Sequence, residues 1–346
     1  MATPRHQEET FSFATADGRT ANVVHVVGER PAVKGPVLLV HGAGVRSNIF
    51  RAPVTTNLVD DLIDHGWDVW LENWRASTDF EPSEWTLDQA AVHDHPGAVD
   101  TVVEQTGADT VKAVIHCQGS TSFMMASVAG LLPRVDTVVS NAVALHPVVP
   151  PLANWKLRLS TPVVRRLTRY LDPRWDVDDA PALVGRLIAL WVRLVHHECD
   201  NQVCKMVSFT YGAGSPTLWS HANLNDETHE WLRGEFGHVP LSFFRQIARS
   251  VRAGHLVSVE GMRELPESFV AQPPQTDARF AFLSGARNVC FTPEGQQRTF
   301  EFFEEHDPGR HSIRILPGYG HLDVFMGHRA ARDVFPLIRE ELDRAG

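Results

Sequence analysis

Short, continuously apolar runs separated by segments of helical length constrain this chain most. Pro36–His41 (PVLLVH) and Val111–His116 (VKAVIH) have the pattern of strands buried on both faces, and Trp67–Leu71 (WDVWL) reads as another strand. Val54–His65 and Leu87–Gln105 carry helical spacing between them. Ser120–Leu132 reads as a helix of small and apolar residues, and Asp136–Leu145 contains a further strand. Strands alternating with helices pair in parallel through right-handed crossovers, which predicts a doubly wound α/β sheet. Ahead of it, Thr10–Ala14 and Ala21–Gly28 read as two strands joined through the turn residues Asp17-Gly18.

The alternation stops after Leu145. His146–Pro151 (HPVVPP) reads as a linker, and the following stretch is nearly all helical or irregular. It holds Trp155, Trp175, Trp191, Trp219 and Trp231, read mostly as core with one or two lining an apolar pocket. After Gln272–Thr276 (QPPQT) the alternation resumes: strand Arg279–Ser284, helix Pro293–His306, strand His311–Leu316 and a terminal helix His328–Arg344. The expected organisation is an α/β core over 1–150 and 276–346, with a helical cap over 151–275.

The chain has 346 residues, room for about two structural units. Its net charge of −10 argues against nucleic acid as the main partner, because phosphate binding needs surplus Lys and Arg. Four Cys do not make a disulfide scaffold. No membrane span is expected, since the most apolar stretch, Ala182–Val195, is short and carries Arg186 and Arg193. The first residues have no apolar signal core, so a cytoplasmic protein is expected. No GxGxxG follows a strand and there is no phosphate loop, so no cofactor is expected.

The sharpest chemical signal is Ile115-His116-Cys117-Gln118-Gly119-Ser120, which runs from a strand straight into a helix. A nucleophile elbow has this layout, with the nucleophile at the apex and a small residue two positions on. Cys117 occupies the apex and Gly119 the small position, while Ile115 stands where a Gly is usual. Ser120 comes too late and would point into the helix. An inert buried thiol remains the other reading of Cys117. His41-Gly42-Ala43-Gly44 follows a buried strand, so the amides of Ala43 and Gln118 can converge on a developing oxyanion, with Gly42 and Gly44 allowing close approach. His321 lies in a Gly-flanked loop (Pro317–Asp323, PGYGHLD) after the last strand, where a base that draws Cys117 toward thiolate is expected. The loop after strand Arg279–Ser284 offers Asn288 where an Asp is usual, with Asp323 and Glu294 as fallback acids. A neutral Asn can orient the imidazole of a Cys–His pair. Cys117, Asn288 and His321 fall in the order nucleophile, acid position, base.

HGAG at 41–44, HCQGS at 116–120 and GYGHLD at 318–323 together resemble the α/β-hydrolase superfamily. VWLENWRAS at 69–77, residues 116–147 and 209–256, and GARNVCFTPEG at 285–295 resemble the α/β-hydrolase module found alone or fused to bacterial GMC (cholesterol-oxidase-like) flavoproteins. The arrangement is more loosely similar to acid lipases, which carry a helical cap at the same place and from which Cys in place of Ser departs. The resemblance implies an α/β-hydrolase fold, an apolar ester, lactone or lipid- or steroid-like substrate, and a GMC-type flavoprotein as a candidate partner.

The expected activity is acyl hydrolysis through a thioester on Cys117. The alternatives are acyl transfer by the same Cys–His pair and a non-catalytic ligand- or flavoprotein-binding protein. Elsewhere, His196 and Cys199 would share a helix face with Cys204 nearby. No second pair of ligands follows at zinc-finger spacing, so no metal is expected. A Cys199–Cys204 disulfide is the other option. His93-Asp94-His95 reads as a solvated helix face, and Glu72 with Arg75 as a structural ion pair.

Overall fold

A computed structural model describes residues 6–178, 180, 183–212 and 216–344. Ten strands form in chain order: β1 (Gln7–Ala14), β2 (Thr20–Val27), β3 (Pro36–Val40), β4 (Asp68–Asn73), β5 (Val111–His116), β6 (Val135–Asn141), β7 (Tyr170–Leu171), β8 (Val239–Pro240), β9 (Arg279–Gly285) and β10 (Ser312–Leu316). Eight of them make one sheet in the order β1-β2-β4-β3-β5-β6-β9-β10. β1 and β2 pair antiparallel, as do β2 and β4, and every other neighbour is parallel. β3 and β9 are buried along their whole length, β3 as its continuous apolar run requires. This is the α/β-hydrolase fold, a mostly parallel doubly wound sheet.

The strand order places the site. From β3 the chain moves one way to β4, then crosses back to β5 on the other side of β3. Ligands of open α/β sheets bind beyond the carboxyl ends of the strands at such a reversal. The segments leaving β3 and β5 begin at His41 and Cys117. Between β6 and β9 come the helices Pro151–Leu167, Leu183–Val195, Gln202–Tyr211, Asp226–Trp231 and Leu241–Ala253, with the β7–β8 ladder among them. No helix among the described residues is long and apolar enough to cross a membrane.

Several local expectations need correction. The helix expected from Val54 starts at Leu58, because Asn57 caps it by accepting the Asp60 N–H at 2.9 Å. The expected helix at 87–105 forms, but a π-helical stretch, Ala90–Asp94, precedes Pro96. Proline has no N–H for an ordinary turn, and the wider turn turns Asp94 and His95 inward. Both are fully buried, not solvated. Arg75 forks onto Asp94 at 2.7 and 2.8 Å, and His95 bonds Glu72 at 2.8 Å and Ser122 at 2.7 Å. Glu72 and Arg75 therefore each have other partners and do not pair with one another. The terminal helix divides into Ala330–Asp333 and Phe335–Asp343, where Pro336 again lacks the N–H that continuity requires. Between β6 and β9, Trp219 is buried, but Trp155 and Trp191 are 64% and 53% exposed.

Candidate active site

Cys117 is the first residue of the helix Cys117–Val128, directly after β5, and its φ is +54°. For a residue with a Cβ this left-handed conformation costs on the order of 1–3 kcal/mol, strain that clusters at functional sites. The turn is tight on one side. A Cβ on Gly119 would lie 2.1 Å from the His41 carbonyl oxygen, so only glycine lets the helix start against the end of β3. Ile115, at the other small position, packs fully buried in the core. Ser120 faces inward as expected, donating to the Val143 carbonyl at 2.6 Å and bonding Ser140 at 2.8 Å.

The HGAG segment closes on the same point. A Cβ on Gly42 would come within 2.9 Å of Cys117 Cβ, and one on Gly44 (φ +71°) would run into the Tyr211 hydroxyl. The backbone N–H groups of Ala43 and Gln118 lie near enough to the Cys117 sulfur to favour its thiolate form. The two amides expected from sequence to act as oxyanion donors thus lie on the Cys117 side of the turn. His41 supports the turn with its backbone, accepting the Trp74 indole N–H at 2.9 Å, while its ring is fully buried and contacts the Gly42 carbonyl at 2.6 Å.

His321 and Asn288 meet as the loop order predicts. His321 Nδ1 lies 3.2 Å from Asn288 Oδ1. The backbone N–H groups of Cys290 and Phe291 also donate to Oδ1, at 3.1 and 3.2 Å, which fixes Oδ1 as the acceptor and Nδ1 as the protonated ring nitrogen. His321 Nε2 is buried with no hydrogen-bond partner among the described residues. A ring nitrogen of His321, one of His116 and Cys117 Sγ lie within 4.8 Å of one another. The fallback acids go elsewhere. Asp323 accepts from the Gly320 N–H at 2.8 Å and from Asn223 Nδ2 at 2.5 Å, and Glu294 pairs with Arg298 at the surface.

Burial opposes the expected drift of Cys117 toward thiolate. It pushes the Cys117 thiol up to about 12 despite the two nearby amides, and burial holds His321 down to about 3. The resting pair is a thiol beside a neutral imidazole. His116, which accepts from Asn141 Nδ2 at 2.8 Å, sits with its ring 4.8 Å from that of His321. Burial, and secondarily the neighbouring His321, pushes it well below the usual histidine value.

Sequence reasoning missed the contribution of the helices between β6 and β9. Tyr211 ends the helix Gln202–Tyr211 and donates its hydroxyl to the Ala43 carbonyl at 2.9 Å, tying that helix to the HGAG segment. An apolar cavity leads to Cys117 along Val149, Leu157, Leu241, Phe243, Phe244 and Phe291. Among the described residues no tryptophan lines it; phenylalanines take that role. Lys156 is the one charged side chain on its wall among the described residues. It donates to the Gly212 carbonyl at 2.8 Å and to that of Phe209, and burial lowers it to about 7. Phe–Phe pairs such as Phe243-Phe244 were the available signal for this wall.

Residues 35–173 match a family profile described as the alpha/beta hydrolase fold. Human lipase member K is 22% identical over 356 residues, covering 94% of this chain and 85% of that protein. Triacylglycerol lipase 1 of Arabidopsis thaliana is 21% identical over 94% of this chain and 84% of its own length. Sterol esterase 2 of Saccharomyces cerevisiae is 25% identical over 48% of this chain, which matches only 35% of that protein. Among solved structures, a malate-bound esterase from Thermogutta terrifontis superposes with a TM-score of 0.56 at 16% identity, covering 96% of this chain and 98% of that one. A bromoperoxidase from Bacillus anthracis gives 0.59 at 12% identity, covering 97% and 100%. One architecture carries both names, so the fold by itself does not select the reaction. Profile and architecture agree on an α/β-hydrolase fold for this chain.

Proposed function

We propose that the protein is an acyl hydrolase that cleaves an apolar ester or lactone through a thioester on Cys117. The observation that carries this reading is the convergence of a strained, positive-φ cysteine, two backbone amides and the Asn288-oriented His321 at the end of an apolar cavity. The lipase and sterol esterase relatives support an ester of a lipid-like compound.

In the proposed reaction, the Cys117 sulfur attacks the carbonyl carbon as a free ring nitrogen of His321 takes the thiol proton. Both groups start neutral, so proton transfer accompanies attack and no standing ion pair precedes it. The carbonyl oxygen gains the negative charge and accepts from the amides of Ala43 and Gln118. The C–O bond breaks, and the alkoxide leaves with the proton held by His321. Water then gives its proton to His321 and attacks the thioester, releasing the acid and restoring the thiol. Asn288 keeps the proton on Nδ1 throughout, leaving Nε2 to accept and return the other one.

The raised Cys117 thiol favours a second reading, a binding protein whose apolar cavity holds a ligand without turnover. A panel of p-nitrophenyl esters of increasing chain length, lactones and acyl-thioesters separates the two. Turnover that disappears in Cys117→Ala with an unchanged melting temperature is expected. Full activity in Cys117→Ala overturns the proposed mechanism.

A further inference from the structure

Away from the active site, the cap gathers a second set of nucleophilic and imidazole side chains. Cys199 and Cys204 flank Asn201, which caps the helix Gln202–Tyr211, His221 opens a short 3-10 turn, and His229 lies on the helix Asp226–Trp231. One ligand atom from each of the four lies within 4.8 Å of all the others. Cys204 Sγ is 3.3 Å from His221 Nε2, and the two imidazole rings stand nearly perpendicular at 5.0 Å. His229 Nε2 is buried with no hydrogen-bond partner among the described residues. Asn201 Nδ2 donates to the His229 backbone carbonyl at 2.6 Å, locking the cysteine half to the histidine half.

We propose that Cys199, Cys204, His221 and His229 bind a zinc ion that staples the cap. Two thiolates and two imidazoles are a complete structural zinc set, with no position left for water. Zinc bonds of about 2.3 Å to sulfur and about 2.0–2.1 Å to nitrogen place tetrahedral ligand atoms roughly 3.3–3.8 Å apart, a small contraction of the observed cluster. The absence of carboxylates from the set selects against magnesium and calcium. Both cysteines are free thiols, so the cluster is not occupied by a disulfide. Binding displaces the thiol protons, including the one Cys199 directs at the Asn201 carbonyl, and the helix N-terminus beside Cys204 favours the resulting thiolate. The site differs from the one suggested by sequence: His196 turns to Glu198 at 3.3 Å, and His221 and His229 replace it.

The ion would fix more than a loop. The helix that starts at this cluster ends at Tyr211, on Ala43. Two residues around His221 reach the base loop: the Ser220 N–H donates to Asp323 at 3.3 Å, and Asn223 donates to the Gly318 carbonyl at 2.9 Å. The staple therefore positions both the oxyanion side and the His321 side of the active site while touching neither.

The test is the metal content of the full chain purified without chelators, with cobalt replacement as a second readout. About one zinc per chain is expected, together with thiolate-to-cobalt charge-transfer bands and intense tetrahedral visible bands after exchange. Cys204→Ser is expected to lose at least nine-tenths of the zinc, whereas Cys117→Ser keeps it. That control excludes the His116, Cys117 and His321 group as the site. Zinc below one-tenth per chain, or cobalt spectra without thiolate bands in the native protein, overturns the proposal even if Cys204→Ser fails to fold. So does a Cys199–Cys204 crosslink in the unreduced protein, or zinc lost from Cys117→Ser and retained in Cys204→Ser.

Discussion

Asn288 presents one oxygen to His321 and leaves its amide nitrogen unused. Oδ1 accepts from His321 Nδ1 and from two backbone N–H groups, while Nδ2 is buried without a partner among the described residues. The loop thus supplies the donors that suit an acceptor side chain, and the asparagine orients His321 without giving it a counter-charge.

Asn288→Asp introduces that charge. An anion beside His321 favours imidazolium and raises its pKa, so the acid limb of the kcat/KM profile is expected to move to higher pH by about one unit or more. The measurement is the profile of the variant against the parent on one ester. An unmoved limb would mean that the proton taken in the reaction does not reside on His321.

The neutral resting pair predicts slow alkylation. With the Cys117 thiol pushed up to about 12 by burial, iodoacetamide should label it ever faster as pH rises, with no plateau at low pH. Site-resolved labelling rates between pH 6 and 9 test this. A plateau below pH 7 that vanishes in His321→Ala would reveal a standing ion pair instead.

Gly119→Ala should destabilise the protein by about 1–3 kcal/mol, although alanine ordinarily favours a helix. The added methyl would meet the His41 carbonyl at 2.1 Å, and the backbone there cannot step aside without moving the donors at Ala43 and Gln118. Urea unfolding gives the stability and ester turnover the activity. A neutral or stabilising substitution would contradict the tight turn.

Acid should weaken the fold through its buried histidines. Burial holds His41 and His321 down to about 3, and His116 well below the ordinary value. In the unfolded chain each titrates near 6.5, so below that pH the unfolded state binds more protons and stability falls as pH drops from about 6.5 toward 3. Each such histidine costs on the order of 2 kcal/mol by pH 5. Urea midpoints at pH 7.5 and 5.0 measure the loss, and His41→Gln should reduce it. Equal stability at the two pH values would contradict the burial of these rings as neutral bases.

Much of this architecture was legible in the sequence because burial on both faces writes itself as unbroken apolar runs. Pro36–Val40 is such a run, as is Phe280–Leu283 within β9, and the helix Pro293–His306 has the bounds its pattern predicts. Cys117, Asn288, His321 and the two amides were legible as well, since each sits at a strand end where position implies direction. Asp94 and His95 were misplaced because a π turn rotates them through an angle that ordinary helical spacing does not anticipate. Tyr211 and the cluster of Cys199, Cys204, His221 and His229 were not legible as sites. Their proximity depends on how short cap elements fold back, and no periodic pattern encodes that.

Rapid acid quenching of the protein with a p-nitrophenyl ester, followed by intact and peptide mass spectrometry, looks for the proposed thioester on Cys117 itself. A burst of about one nitrophenolate per chain and an acyl mass on the peptide containing Cys117 are expected, both absent from Cys117→Ala. An acyl group on another residue, or a burst that survives in Cys117→Ala, would contradict the proposed thioester.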